Sequence, residues 1–472
     1  MARDELPDGV HASRGRRQRT DELARVLTAR FRERFGCEAA VVVRAPGRVN
    51  LIGEHTDYNG LPVLPFAIRQ SHRLAAAECG KPLIEIANVD SQYAEKTIAP
   101  DDLGAFSRAG EWDNYLRAAL LGLMDAGLLK RDHLSRGLRI LVSSDLPASV
   151  GLSSSSALVV GFALVALLLY QIEFDRLHLA DVLAEAEHYV GTRGGGMDQT
   201  TCLLGQEGHA LRIDFFPLQV EPIPFGRIGC QPVAGVRPTE DETGCQPIPQ
   251  VFLADSGVRV EKSGAGLALY NCRPIECHLA LSAFQSWAGK NGRPEIAGAR
   301  YWGDLVKPPL AFSHEVVLRM IREALDQPNY SLENLRRLLG TGETEWDRLA
   351  ADPTFKLRQR AEHVIAEAQR VDQAVEALRQ CDWLRLAELI AASHASCRDL
   401  YEISCPELER LVTAAGEAGA LASRLTGAGF GGCTLHLVRR SEADHFASVM
   451  KRRLGESLRM WKVVPSSGAE AV

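Results

Sequence analysis

At 472 residues the chain is longer than one hydrophobic core ordinarily supports, so two domains are expected. Its 46% hydrophobic and 24% charged residues make an ordinary soluble globular composition. A formal net charge of −6 offers no broad basic surface, which argues against nucleic acid or an anionic membrane as the main partner and points to a small molecule.

Residues 1–20 carry arginines with no apolar run behind them and read as a polar lead-in, not a secretory signal. Thr20 to Phe35 has apolar residues at helical spacing (Leu23, Val26, Leu27, Phe31), and Gly36 stops it. Ala39 to Val43 is a short apolar strand that delivers the motif RAPGRVNLIGEHTDYN, Arg44 to Asn59. Here Glu54, His55 and Asp57 lie between Gly53 and Gly60, with Arg48 upstream. Such a cluster of acceptors around one amphoteric ring suits a hydroxyl-rich ligand. The same residues also read as a surface turn with capping carboxylates, or as weak evidence for a metal.

Val63 to Ile98 suggests several strands, and Trp112 to Leu123 begins a helix with a Leu/Ala face. Leu138 to Ser143 is an apolar strand, followed by LPASVGLSSSSA (Leu146 to Ala157) and a greasy run to Tyr170. A strand that empties through a Gly-Ser turn into a buried helix leaves the first N–H groups of that helix unpaired, with the positive end of its dipole behind them. That is a phosphate cradle. Ser153 to Ser156 add hydroxyls able to cap the helix, bond phosphate or ligate magnesium, and Gly151 allows close backbone approach. No Gly-Lys-Ser/Thr follows, so the loop is not a Walker A motif. The greasy run is too short to span a bilayer.

Leu179 to Val190 is a helix bearing Glu185 and Glu187, and GTRGGGMDQ follows at Gly191 to Gln199. Asp198 there is either a helix cap or a base held against a substrate hydroxyl. His209 to Phe215 is a strand. Gly226 to Gln250 is a Gly/Pro/charge-rich insertion near a domain boundary, and Val251 to Ser256 resumes as a strand. Ala265 to Trp287 is a long helix containing Tyr270, Arg273 and Glu276, and Gly289 to Asp304 is a second irregular insertion. Val371 to Leu378, Leu384 to Ser393 and Pro406 to Ala415 are amphipathic helices, with His394 a packed core histidine. Ser423 to Val438 turns from a Gly-rich loop into a strand. The expected divisions are a lead-in (1–20), an N-terminal domain (21–225), the insertion (226–250) and a C-terminal domain (251–472). Eleven cysteines with no Cys-x-x-Cys pair suit free thiols in a reducing compartment, and the protein reads as cytoplasmic.

Taken in order, the motifs from about Ala39 to Val438 resemble the galactokinase branch of the GHMP sugar and metabolite kinases. GRVNLIGEHTDYN looks like the galactokinase signature, GLSSSSA like the ATP-binding motif and LTGAGFGGC like the third motif. WDNY at Trp112, GGGMDQ at Gly194, YNCRPIEC at Tyr270 and SHASCRDLYEISCPEL at Ser393 are smaller matches.

The resemblance implies an α+β, two-domain GHMP-kinase fold: an N-terminal α/β domain and a C-terminal ferredoxin-like domain, with the active site between them. It implies phosphorylation of α-D-galactose at the C1 hydroxyl, with ATP as co-substrate and Mg²⁺ as cofactor, by a monomer or weak homo-oligomer. Asp198 would take the C1 proton and Arg48 would stabilise that carboxylate and the developing charge. Glu54, His55, Thr56, Asp57 and Tyr270 would contact the sugar. Ser149, Val150, Gly151, Leu152, Ser153, Ser154 and Ser155 would wrap the phosphates, Trp112 would lie near the adenine, and Ser155 with Glu187 would hold the metal. Ser149, Gly60 and the GTRGGGMDQ form look more like the branch holding plant galactokinases and N-acetylgalactosamine kinases. N-Acetylgalactosamine kinase is therefore the alternative enzyme, and a galactose/ATP sensor without catalysis the alternative of another class.

Overall fold

The structure, a computed structural model, describes residues 8–192, 194–226, 248–259, 265–339 and 354–472. Most of the expected 226–250 insertion lies outside them. The N-terminal half is built on a six-stranded sheet of β1 (Val41–Asn50), β2 (Pro65–Ala77), β3 (Ile84–Asn88), β4 (Lys96–Ile98), β5 (Leu138–Ser144) and β14 (Glu470–Ala471), in the order β14-β1-β2-β5-β3-β4. The β3/β5 pair is parallel and the other neighbours are antiparallel. Helix α1 (Asp8–Phe35) packs on this sheet through Leu27 and Phe31, so part of the expected lead-in is helical. The β1/β2 register shifts between Pro46 and Arg48. A bulge of this kind re-aims the next side chain, and Arg48 lines the cleft described below.

Helix α3 (Ser154–Leu169) lies against the sheet, and helix α2 (Asp113–Asp125) packs on α3. The α3 sequence is apolar all round, which demands burial on every side, and its residues from Ser156 to Leu167 are all buried. Helix α4 (Arg176–Ala186), helix α5 (Met197–Leu204) and a hairpin of β6 (His209–Asp214) and β7 (Gln219–Pro224) complete this half.

The C-terminal half holds the antiparallel sheet of β8 (Gln250–Asp255), β11 (Ala422–Thr426), β12 (Cys433–Val438) and β13 (Met460–Val463), ordered β11-β12-β8-β13. With helix α12 (Pro406–Glu417) before β11 and helix α13 (Ala443–Leu454) between β12 and β13, this is the ferredoxin-like arrangement. A helical layer lies beside it: α6 (Ala265–Lys290), α7 (Gly303–Val306), α8 (His314–Ala324), α9 (Leu332–Leu339), α10 (Leu357–Arg379) and α11 (Trp383–Asp399). A two-residue ladder of β9 (Tyr330–Ser331) and β10 (Thr354–Phe355) joins it.

Three sequence expectations change. The stretch from Gly289 to Asp304 is a packed connection, with a 3-10 turn at Pro294–Gly298 and Trp302 fully buried, its indole N–H donating to the Cys277 carbonyl at 3.0 Å. Burying such a ring contributes about 2–3 kcal/mol, which an irregular insertion would forgo. The chain end leaves the C-terminal half, because β14 pairs with β1 (Val43 opposite Ala471). Cys381 is disulfide-bonded, while the other described cysteines are free thiols. His394 is buried, as expected of a core histidine. No helix among the described residues is long and apolar enough to cross a membrane. One apolar cluster includes Phe66 of β2, Val371 of α10, Trp383 of α11 and Leu435 of β12, so the halves share a core beneath the cleft.

Candidate active site

Two adjoining cavities, of about 690 and 70 Å³, share Gly151, Ser153 and Ala428 in their walls. The larger is organised by the serine loop. Ser149, Gly151 and Ser153 all adopt positive φ (58°, 79° and 57°), winding the chain tightly before α3 opens at Ser154. The orphan N–H groups of the α3 N-terminus therefore face the cavity that Ser149, Gly151, Leu152, Ser153, Ser154 and Ser155 line. Val150, expected among the residues wrapping the phosphates, lines neither cavity: it is 1% exposed and packs in the core. His72 of β2 supports the loop: its Nε2 lies 2.9 Å from the Ser154 carbonyl, so that nitrogen donates, and burial pushes the ring's pKa down to about 4. At the far end Trp112 and Tyr93 meet edge to face with centroids 6.1 Å apart, and the Trp112 indole N–H donates to the Ala94 carbonyl at 3.0 Å.

The smaller cavity collects Arg48, Glu54, His55, Asp57, Tyr58, Glu187, Asp198 and Tyr270. Glu54 accepts the Gly427 N–H at 2.9 Å and pairs with Arg424 at 3.3 Å; burial pushes its pKa up against the pull of Arg424 and Arg48. His55 sits at φ 62°. Its Nε2 is 3.1 Å from the Ala428 carbonyl and so carries the proton, which leaves Nδ1 to accept from the Tyr58 hydroxyl at 2.8 Å. Both nitrogens are thus taken by protein, and burial lowers the ring's pKa to about 3. His55 shapes the wall as a neutral ring. Thr56 does not enter the cavity: its hydroxyl donates to the Gly53 and Pro62 carbonyls (3.0 and 2.8 Å), closing the turn from beneath. Asp57 accepts the Gly195 N–H at 3.1 Å. A Cβ on Gly195 would lie 2.3 Å from the Tyr58 nitrogen, so only glycine lets the two loops touch. The Tyr270 ring lies 5.6 Å from that of His55, and its hydroxyl would be 3.8 Å from a Cβ at Gly194.

Asp198 is in the first turn of α5, whose N-cap is Gly196 at φ 95°, so Asp198 does not occupy the capping position. Its carboxylate receives Arg48 Nε at 2.7 Å and the Ser156 hydroxyl at 3.4 Å. Arg48 Nη1 donates to the Gly151 carbonyl at 2.6 Å. One guanidinium therefore ties the Asp198 carboxylate to the serine loop at the junction of the cavities.

No group of three or more His, Cys, Asp or Glu able to hold a metal occurs among the described residues. Ser155 lines the larger cavity and Glu187, in the 3-10 turn Glu187–Val190, the smaller one. One hydroxyl and one carboxylate are hard oxygen donors of the kind Mg²⁺ uses when phosphates and waters fill its remaining positions, so the pair fits the ion chemically.

Glu367, His363, Arg424 and Tyr401, which brace the loop from Leu51 to Tyr58, escaped the sequence reading. Glu367 left a trace: it falls among Val364, Ala368 and Val371, where helical spacing calls for an apolar residue.

Comparison with known proteins accords with this geometry. The family model described as the galactokinase galactose-binding signature matches residues 29–78, that of the GHMP kinases N terminal domain 114–206, and that of the GHMP kinases C terminal 374–456. The galactokinase of Roseiflexus sp. (strain RS-1) is 34% identical over 423 residues, covering 89% of each chain. That of Dictyostelium discoideum is 31% identical over 436 residues, covering 85% of this chain and 82% of its own. The fold is shared with Lactococcus lactis galactokinase complexed with galactose (TM-score 0.73, 24% identity, 95% of this chain and 100% of that one) and with a mevalonate kinase (TM-score 0.55, 15% identity, 90% and 99%). The chain belongs to the galactokinase family of the GHMP kinases.

Proposed function

We propose that the protein transfers the γ-phosphoryl group of ATP to the C1 hydroxyl of α-D-galactose. One observation carries the proposal: Asp198 and Arg48, paired at 2.7 Å, stand where the two cavities share Gly151, Ser153 and Ala428. The larger cavity takes the nucleotide, with its base toward Trp112 and its phosphates on the serine loop. The smaller takes the hexose against Glu54, Asp57 and Tyr270. Asp198 accepts the C1 hydroxyl proton as that oxygen bonds to the γ-phosphorus and the bond to the ADP oxygen breaks. Arg48 orients the carboxylate and offsets charge on the transferring oxygens. Ser155 and Glu187 would hold Mg²⁺, which would supply charge neutralisation at the phosphates. The relatives' names support the sugar and the chemistry, and the protein would act in the cytoplasm as a monomer or weak homo-oligomer.

The test is ADP release from ATP and Mg²⁺ across a panel of hexoses that includes galactose and N-acetylgalactosamine. Galactose is expected to turn over fastest. A faster N-acetylgalactosamine reaction would reassign the substrate, and no turnover with any hexose would leave the sensor reading. Asp198→Ala is expected to fold and bind galactose while losing about 10²- to 10⁴-fold in kcat. Undiminished kcat in that variant would remove Asp198 from the mechanism.

A further inference from the structure

The loop that carries Glu54, His55 and Asp57 belongs to the N-terminal half, yet it is gripped from the other side of the cleft. Glu367, in the middle of α10, is fully buried. Its Oε1 accepts the Gly53 N–H at 3.0 Å and the Glu54 N–H at 3.4 Å, and the Ser393 hydroxyl of α11 donates to the same oxygen. Its Oε2 accepts Arg370 Nε at 2.7 Å. One turn earlier on α10, His363 Nε2 stands 3.1 Å from the Glu54 carbonyl, with Nδ1 2.8 Å from the Ser396 hydroxyl. A single helix thus holds the residue 54 backbone through both its N–H and its C=O. Burial pushes the Glu367 carboxyl up, but Arg370, His363 and Arg424 outweigh it and bring the group to about 2, so it stays ionised.

We infer that Glu367, assisted by His363, is the positioning residue for the sugar-binding loop, setting galactose affinity without touching substrate. The next residue, His55, is held at φ 62°, a conformation that costs a β-carbon-bearing residue free energy and persists only where its surroundings over-determine it. An anionic acceptor with two backbone donors supplies that constraint. The nucleotide cavity includes neither Gly53 nor Glu54, so losing the anchor should act on one substrate alone.

The experiment is initial-rate kinetics with each substrate varied in turn, using ATP, Mg²⁺ and galactose. Glu367→Ala is expected to raise the KM for galactose about tenfold or more, from the loss of charge-assisted hydrogen bonds, and to move the KM for ATP less than about twofold. Glu367→Gln keeps one acceptor oxygen and is expected to recover most of the loss. His363→Ala releases the carbonyl side and is expected to raise the galactose KM selectively, which decides the matter if Glu367→Ala does not fold. An unchanged galactose KM in the folded variants, or equal changes in both KM values, would overturn the inference and leave Glu367 a core residue only.

Discussion

Asp57 sets the pH response expected of the sugar cavity. Burial pushes its carboxyl up to about 6, with the nearby Asp198 carboxylate adding to the rise against N–H bonds from Tyr58, Gly195 and Met197. The sign follows directly: the unfolded chain releases this proton near pH 4 and the folded protein holds it to about 6. Its contribution to stability is therefore present at low pH and lost as pH rises through that window. Binding runs the other way, because a protonated Asp57 no longer offers a charged acceptor to a sugar hydroxyl. The KM for galactose is expected to rise as pH falls through about 6, and Asp57→Asn should abolish the inflection. His55, lowered to about 3, stays neutral across that range and cannot supply it. An inflection that survives in Asp57→Asn would assign the titration elsewhere. The cluster was legible in the sequence because Glu54, His55 and Asp57 crowded between two glycines are a local signal. The inward direction of Asp57 and outward direction of Thr56 were not, since the turn geometry that divides them depends on carbonyls at Gly53 and Pro62.

At the scale of elements, the Gly-rich turn between β11 and β12 acts as a buttress for the serine loop. Gly427, at φ 87°, comes so close that a Cβ there would lie 2.6 Å from the Gly151 carbonyl oxygen, a backbone atom that cannot swing aside. That same oxygen receives Arg48 Nη1, so displacing it disturbs the serine loop and the Arg48–Asp198 pair together. Gly427→Ala is accordingly expected to lower kcat and raise the KM for ATP, each by about tenfold, since misplacing a reacting group by a fraction of an ångström weakens in-line transfer. Normal ATP kinetics in that variant would mean that the turn yields freely. The Gly-rich and serine-rich stretches could each be read from sequence, because backbone that must turn tightly uses small residues. Their contact could not, and neither could the Glu367 anchor, because both are set by where α10, β11 and β12 pack across 270 or more residues of intervening chain.

For the whole molecule, the shared core buries histidines that the sequence scattered without pattern. His55 and His436 are lowered to about 3 and His72 and His363 to about 4, in every case chiefly by burial. In the unfolded chain each takes up a proton near pH 6.5, whereas the folded protein refuses it until pH 3–4. Stability is therefore full above about 6.5 and is lost progressively as pH falls, by about 2 kcal/mol per histidine at pH 5. His394 is lowered by burial as well, and the raised carboxyls of Glu54, Asp57 and Asp181 oppose the trend, so three carboxyls act against five histidines. His436 isolates the effect, because it lies in β12 between the Ser423 and Thr434 hydroxyls, each 2.8 Å away, and lines neither cavity. Thermal unfolding is expected to show a Tm that declines from pH 7 to pH 5, and His436→Gln should shallow that decline while leaving both KM values at pH 7 unchanged. A decline as steep in His436→Gln as in the parent protein would place the acid sensitivity in groups other than this buried ring.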